Sequence, residues 1–463
     1  MDPKAQLHVT ANTSTSTSSS GYELAEPSRA WAINRERPAL ETSTSHETPT
    51  EPTTPLVELN NDDFPDGGIR SWLVVLGSFL LLMASYGLMN SVGVIQSYLE
   101  THQLSSYTSR DVGWISGVFT FVSLILGVFV GPLFDAYGPK ELVATGTAIY
   151  SLGVLLTAQC SEYWHFILCF GIVSGIGAAV ISNVGMSCIP HWFYARAGMA
   201  IGTAMAGAGL GGVVFPYILR ETWASVGFKW GMRVTALVVF VLCGSATFLV
   251  KSRLPRNGRP KAAFDIRCFQ DARFSWLSAA TFCLELVVFG LVGILPSYVV
   301  AQGFSTASSV NLLVVLNVCN SIGRLVSGRV ADKYGRLNVL ILLVAFAIVL
   351  IFAILYPFSN SLAGLYIFCA TYGFVSGSFI CLAPVCVRQI SPAKETGMRF
   401  GTLYGLVAFA TLICIPIGGE MLEKIGAHMV VVYLGAMLIV AVLLFGIARW
   451  ACLDYKWDWR SKI

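Results

Sequence analysis

The stretch NVCNSIGRLVSGRVADKYGR, residues 317–336, places an arginine, Arg324, in an apolar segment about two turns before a cluster of charges. Within it, residues 328–335 follow the pattern Gly-x-x-x-Asp-x-x-Gly. The same pattern occurs at residues 131–138, about 197 positions earlier. A motif that recurs at such a distance indicates a duplicated structural unit.

A second repeat has a nearly equal offset. GMAIGT at 198–203 corresponds to GMRFGT at 397–402, and each stretch is followed by a proline, Pro216 or Pro416. Two motifs that repeat in register predict that the chain consists of two related halves.

The composition indicates whether these halves lie in water or in lipid. The 463 residues are 55% hydrophobic and 12% charged, with a mean hydropathy of +0.67, whereas about 25% of the residues of a soluble domain are charged. The net charge of +4 is small and scattered, which argues against nucleic acid as a partner. The chain is therefore predicted to lie in a lipid bilayer.

Apolar runs long enough to cross a hydrocarbon core of about 30 Å recur from Trp72 onward. Twelve such runs are predicted, at residues 72–97, 112–134, 140–158, 163–189, 195–219, 232–250, 274–300, 309–331, 337–357, 361–389, 398–421 and 428–450. Only helices satisfy their own backbone hydrogen bonds at this depth without closing a barrel. The predicted fold class is an all-α integral membrane protein with twelve transmembrane helices in two pseudo-symmetric six-helix halves.

The chain divides into five segments by composition. The first is rich in Ser, Thr, Pro and Glu, so it is predicted to be a disordered cytosolic tail. A basic stretch between the sixth and seventh runs is predicted to be a cytosolic connector. The predicted segments are the tail at 1–64, a six-helix half at 65–250, the connector at 251–273, a six-helix half at 274–450 and a short cytosolic tail at 451–463.

Basic residues in the short loops predict the orientation, because they concentrate on the cytosolic side of a membrane. They occur in the connector, after the second and eighth runs and in the C-terminal tail, whereas the loops that contain SEYWH, QGFSTAS and PFSNS lack Lys and Arg. Both termini are therefore predicted to be cytosolic, with the plasma membrane as the expected location. The loop at 220–233 disagrees, because it is basic and should face outward.

The sequence lacks the motifs of enzymes, ATP-driven pumps and metal proteins. HExxH, GxSxG and GxxxxGK[ST] are absent. The 12 cysteines lie mostly inside apolar runs without metal-ligand spacing, and they are interpreted as small membrane hydrophobes. We predict a protein that is not an enzyme, uses no metal or cofactor and draws its energy from an ion or substrate gradient.

The repeated loop pattern in a six-plus-six chain resembles the major facilitator superfamily. PDGGIRSW at 65–72 and HWFYARAGMAIGTAMAGAGLGG at 191–212 look like the two signatures of the monocarboxylate porter family within it. The resemblance covers about residues 65 to 450, and the long N-terminal tail is similar to that of fungal members. It implies a transporter whose substrate site lies at mid-membrane between two rocking halves.

Arg324 lies about 10 Å from the predicted cytosolic end of its helix, so snorkelling of its side chain is one interpretation. Asn317 and Asn320 share a helical face with it, which favours a pore-facing role instead. The resemblance implies that this arginine meets the substrate carboxylate, a task that suits the fixed donors of a guanidinium. All three residues are candidate substrate contacts.

Two positions depart from many animal members of the porter family. Those members carry an Asp where this chain has Asn320 and a Lys where it has Asn90, so a proton-coupled lactate mechanism does not transfer directly. Tyr86 and Asn90 lie on one face of the first helix and are candidate substrate contacts, with a packing stripe as the alternative.

Glu285 is the other charge inside a predicted helix. It is a candidate for proton coupling, because intramembrane carboxylates often belong to proton relays. The alternative is a partner that neutralises Arg324.

Charged residues at the predicted cytosolic ends of the helices are candidates for a gate. Pairs between the halves could hold one access state closed and break in the other. The alternative is a signal for membrane orientation alone. The candidates are Asp135, Lys140, Arg196, Arg329, Asp332, Lys333 and Arg336.

Glycines recur about every four residues in the fifth and eleventh predicted helices, which lets helices approach closely. Helix packing is the preferred interpretation, and substrate passage is the alternative. The glycines are Gly198, Gly202, Gly207, Gly211, Gly397, Gly401 and Gly405.

The leading functional hypothesis is a secondary active transporter of a small organic metabolite, anionic or polar, that acts as a monomer and exports a fungal secondary metabolite. The first alternative is a proton-coupled importer of a monocarboxylate or vitamin-like nutrient. A transport-inactive sensor whose Ser/Thr-rich tail carries the signal is the second. Deletion of residues 1–60 distinguishes the sensor, because a transporter would keep its flux.

Overall fold

The computed structural model describes residues 67–193, 196–253, 266–391, 396–456 and 458. The predicted tail at 1–64 and most of the predicted connector lie outside these ranges. Every regular element in the described ranges is helical, as the predicted fold class requires.

The first half contains helices that join into six crossings. They are α1 (Ile69–Met89), α2 (Val92–Thr101), α3 (Ser109–Ile125), α4 (Gly127–Tyr137), α5 (Pro139–Thr157), α6 (Tyr163–Phe166), a π-helical segment (Ile167–Ser174), α7 (Gly175–Ser187) and α8 (Ala197–Leu249). Helices α1 and α2 form one crossing, as do α3 with α4, and α6 with the π-helical segment and α7. Gly227, with φ 79° and ψ 171°, divides α8 into two crossings.

The second half follows a short 3₁₀-helix (Ile266–Gln270) and also makes six crossings. Its elements are α9 (Ala272–Ala301), α10 (Thr306–Tyr334), α11 (Arg336–Leu350), a π-helical segment (Ile351–Leu355), α12 (Tyr356–Phe358), α13 (Leu362–Ile390), α14 (Thr396–Lys424) and α15 (Ala427–Cys452). Helix α11 continues through the π-helical segment into α12 as one crossing.

The described residues contain ten helical stretches that are long and apolar enough to cross a membrane. That number treats α8 as one stretch and omits the 19-residue α5, which carries Lys140 and Glu141 in its first turn. With α8 divided at Gly227 and α5 included, twelve crossings result, which agrees with the prediction from hydropathy.

The repeated sequence pattern ends each time in a glycine that turns the chain between two helices. Gly138 between α4 and α5 has φ 83°, and Gly335 between α10 and α11 has φ 97°. A positive φ is costly for residues with a Cβ but not for glycine. The two equivalent glycines therefore make the same tight turn in both halves.

The first crossing contains a break that hydropathy did not predict. Helix α1 ends at Met89, and α2 begins at Val92. Between them, the Ser91 hydroxyl donates to the carbonyl oxygen of Gly87 at 2.8 Å. Serine hydroxyls that bond to the backbone of the preceding turn commonly bend helices.

The two halves contact each other mainly away from the face at which α1 begins and α15 ends, which we call the terminal face. Helix pairs α3–α14, α2–α9 and α8–α10 join the halves. A Cβ on Gly117 would lie 2.5 Å from the carbonyl oxygen of Leu412, and one on Gly93 would lie 2.6 Å from that of Gly293. Backbones this close hold the halves together near the other end of the helices, which we call the opposite face.

Candidate functional site

Arg324 in α10 lies inside the bundle. The residue is 6% exposed, and its Nη1 donates a hydrogen bond to the carbonyl oxygen of Met205 in α8 at 3.3 Å. Because α8 and α10 belong to different halves, the guanidinium lies at the boundary between them. A snorkelling side chain would extend to the water beyond the end of its helix.

Glu285 in α9 is the second charge in the interior. It is 1% exposed, and neither carboxylate oxygen accepts a hydrogen bond from any described residue. The Arg324 guanidinium is close enough for its charge to act on this carboxylate. A buried charge is costly unless it is compensated, so each of these two residues offsets part of the other's cost.

Two tyrosines complete this group. The charges of Arg324 and Glu285 both act on the Tyr86 hydroxyl in α1, and that of Glu285 acts on Tyr372 in α13. Tyr372 is fully buried, and its hydroxyl has no hydrogen-bond partner within the described part of the chain. We call Tyr86, Glu285, Arg324 and Tyr372 the central cluster. Sequence reasoning missed Tyr372, whose only signal is a lone hydroxyl in an apolar run.

The two asparagines of α10 contact different neighbours. Asn317 Nδ2 donates to the carbonyl oxygen of Gly212 in α8 at 3.0 Å, whereas Asn320 Nδ2 donates to Ser376 Oγ in α13 at 3.1 Å. One amide therefore links the halves, and the other stabilises packing within the second half. Asn90 is half-buried at the break between α1 and α2.

The predicted gate residues at the terminal face are only partly described. Lys140 and Arg196 are exposed, and Arg336 is half-buried. Lys333 is exposed, with its ammonium 5.4 Å from the ring centre of Tyr334. The side chains of the other three candidates, Asp135, Arg329 and Asp332, lie outside the described residues, so the gate stays a prediction.

A well-defined ion-pair group does occur at the terminal face, where α9 begins. Asp271 lies 3.1 Å from both Arg273 in α9 and Arg399 in α14, measured between a carboxylate oxygen and a guanidinium nitrogen. Partial burial alone would raise the pKa of Asp271, but the hydrogen bonds from the two arginines outweigh it and hold the pKa below its usual value. This group connects α14 to the start of α9.

The predicted packing glycines differ in their surroundings. A Cβ on Gly207 or Gly211 would collide with backbone carbonyl oxygens of α1, those of Phe79 and Met83. Gly198 instead has open space around its Cβ position, so it makes no close helix contact. In the remaining set, Gly202 and Gly401 are half-buried, Gly405 is buried, and the surroundings of Gly397 lie outside the described residues.

Glu100, at the end of α2, is the centre of a polar network at the opposite face. It accepts hydrogen bonds from Gln96 Nε2 at 2.9 Å, from Ser109 Oγ at 2.7 Å and from Ser297 Oγ at 2.8 Å. The bond from Ser297 links α2 to α9 and therefore joins the two halves.

Two contacts between α3 and α14 join the halves beside this network. The backbone N–H of Ser109 donates to Glu423 Oε2 at 3.1 Å, and Arg110 Nε lies 3.5 Å from Glu420 Oε2. We call the network and these contacts the opposite-face latch. Its members are Gln96, Glu100, Ser109, Arg110, Ser297, Glu420 and Glu423. Sequence reasoning missed them, because charges at helix ends do not reveal their partners.

Across the described ranges, no three His, Cys, Asp or Glu side chains are grouped so that they could hold a metal ion. The central cluster offers one fixed cation, one carboxylate and two phenol hydroxyls, a set that can bind a polar organic molecule by hydrogen bonds.

Comparison with known proteins identifies the family. The family model of the Major Facilitator Superfamily matches residues 74–401 and 311–451. The riboflavin transporter MCH5 of Saccharomyces cerevisiae is 34% identical over an alignment that covers 98% of this chain and 93% of that protein. The aspyridones efflux protein apdF of Emericella nidulans is 31% identical, with 83% of this chain and 78% of that protein covered.

Solved structures share the fold. The nucleoside transporter NupG superposes with a TM-score of 0.65 and 13% identity, covering 82% of this chain and 99% of that one. A bacterial homologue of the human lysosomal transporter Spinster gives a TM-score of 0.64 at 13% identity, covering 85% and 99%. The narrower likeness to monocarboxylate porters stays a prediction from residues 65–72 and 191–212. The chain belongs to the Major Facilitator Superfamily, and it is a multi-pass membrane transporter of a small molecule.

Proposed function

We propose that this transporter exports a small organic metabolite, anionic or polar, by alternating access. The observation that carries the proposal is Arg324, a permanent cation buried at the boundary between the halves. A guanidinium there suits a carboxylate or another anionic oxygen of the substrate. A relative named for aspyridones efflux supports a secondary metabolite as the class of cargo.

The other members of the site have distinct roles in this proposal. Tyr86 and Asn90 contact the substrate from the first crossing, and Glu285 either couples transport to protons or accepts a hydrogen bond from the substrate. Asn317 and Asn320 orient α10 through their hydrogen bonds to α8 and α13. When these hydrogen bonds break, the two amides can bond to the substrate instead.

Alternating access follows from contacts at the two ends of the bundle. The opposite-face latch holds the halves together in this conformation, and its contacts break when the halves rock. The predicted gate at the terminal face then forms. In this proposal the termini are cytosolic, the latch faces the outside of the plasma membrane, and the protein works as a monomer that transports without an enzymatic step.

The test compares small molecules inside cells and in the medium by untargeted mass spectrometry. A strain that lacks the gene is complemented with the wild type or with Arg324→Ala. Export predicts a compound that accumulates inside cells with the deletion or the variant and falls in the medium. Loss of a hydrogen-bonded charge costs about 1.5–3 kcal/mol, so flux should fall about 10- to 150-fold.

Arg449→Gln is the matched control, because Arg449 is also buried but donates its Nε hydrogen bond to Asn338 Oδ1 at 2.6 Å, away from the central cluster. It should keep the flux of the wild type once expression is equalised. Normal flux by Arg324→Ala would contradict the proposal, as would an equal loss in the control.

A second candidate is import of a vitamin-like nutrient or monocarboxylate driven by protons. The riboflavin transporter MCH5 supports it, since the alignment covers nearly the whole of both chains, and Glu285 provides a titrating group. The same experiment separates the two directions. Under import, the compound stays in the medium and is depleted inside cells that lack the gene.

A further inference from the structure

A groove of about 530 Å³ opens at the opposite face of the first half. It lies where the loops after α2 and α5 meet the turn at Gly227 in α8. Its lining includes Gln103, Ser161, Lys229 and Arg233. The groove is separate from the central cluster and from the opposite-face latch.

One wall of the groove is held by an aromatic group. Phe228 lines the groove and is 7% exposed. Its ring centre lies 5.6 Å from that of Tyr98, 5.7 Å from that of Trp223 and 6.1 Å from that of Phe166. Aromatic pairs at these separations stabilise one another beyond their burial, so the backbone beside Phe228 is fixed in place.

The cations of α8 on the two sides of the turn at Gly227 are not equivalent. Arg220 pairs with Glu221 at 2.5 Å between Nη2 and Oε1, whereas Lys229 and Arg233 form no ion pair with any acidic residue in the described ranges. Lys229 lies in the first turn of the helical segment that follows Gly227, where the helix dipole disfavours a cation. An external anion would therefore relieve an electrostatic cost at the turn inside α8.

The orientation of the protein in the membrane does not explain these cations. Basic residues normally mark the cytosolic side, yet this turn lies at the opposite face, away from both termini. The Arg233 guanidinium lies 4.7 Å from the ring centre of Trp230, whose side chain is 58% exposed beside Val226, which is 53% exposed. An aromatic and an aliphatic side chain exposed beside two cations are typical of the boundary between headgroups and acyl chains.

We propose that this groove binds the headgroup of an anionic phospholipid in the leaflet at the opposite face. Lys229 and Arg233 meet the phosphate, and Trp230 and Val226 contact the first acyl carbons. Gln103 Oε1 is buried without a hydrogen-bond donor in the described part of the chain.

The test uses the full-length protein, purified in detergent and delipidated. Native mass spectrometry measures the retention of phosphatidylinositol and phosphatidylcholine, supplied at equal concentration in mixed micelles. The wild type should retain phosphatidylinositol preferentially. Lys229→Ala and Arg233→Ala should each weaken that retention about fivefold, because a basic residue near an anionic surface contributes about 1 kcal/mol.

Arg220→Ala is the matched control, since it removes a cation of α8 that already has an acidic partner. It should retain the lipid as the wild type does. Equal retention of the two lipids, or an equal loss in Arg220→Ala, would overturn the proposal. Inositol phosphate that competes as well as the whole lipid would also overturn it, because the site would then bind a free anion. Melting temperatures of the lipid-free variants check that folding is unchanged.

Discussion

The bond between Ser297 and Glu100 gives a direct test of how the opposite face is kept closed. Ser297 Oγ donates to Glu100 Oε2 at 2.8 Å, and the two residues belong to different halves. Ser297→Ala removes this charge-assisted hydrogen bond, which contributes about 1.5–3 kcal/mol. Glu100 keeps Gln96 and Ser109 as donors, so the lower figure applies. The population open at this face should rise about tenfold.

Hydrogen–deuterium exchange with mass spectrometry measures this opening without attaching a fluorescent or spin label to the protein. Exchange of backbone amides reports the population of the open state, so residues 92–113 and 293–301 should exchange about tenfold faster in Ser297→Ala. Ser278→Ala is the matched control in the same helix, because Ser278 is fully buried and its hydroxyl has no partner among the described residues. Identical exchange in the two variants would refute the assignment of Ser297 to the latch.

Three further predictions address the interior, the packing and the terminal face. Glu285→Gln should make flux independent of pH between 5 and 8 if Glu285 couples protons, because glutamine cannot titrate; flux that already ignores pH in the wild type would exclude that role. Gly209→Ala should lower the melting temperature and slow transport, since its Cβ would collide with the side chain of Ser321 in α10 at a cost of about 1–3 kcal/mol, whereas Gly198→Ala should change neither. Asp271→Asn should lower the melting temperature at pH 7. The pKa of Asp271 is held below its usual value, so its stabilisation is complete above about pH 4 and is lost as pH falls through the lowered pKa. The difference from the wild type should therefore shrink below about pH 4, and a constant difference would argue against the ion pair.

The crossings could be predicted because hydropathy is a local property of the chain. A run of about 20 apolar residues is long enough to span a bilayer wherever it packs. The structure moves the ends by a few residues, as in α9, which begins at Ala272 where the run was predicted to begin at 274. The break between α1 and α2 was missed, because one serine hydroxyl bonded to the backbone leaves no trace in hydropathy.

By itself, the sequence determined the fold class, the duplication and the two charges, Arg324 and Glu285, that the membrane would otherwise exclude. These features follow from the hydropathy and the length of each segment, which can be read from that segment alone. Only the tertiary structure decided which residues meet. Tyr372 joins the central cluster from α13, and Glu100 meets Ser297 across 197 positions of sequence. The physical reason is that contacts between distant helices depend on how all the helices pack together, which no single segment encodes.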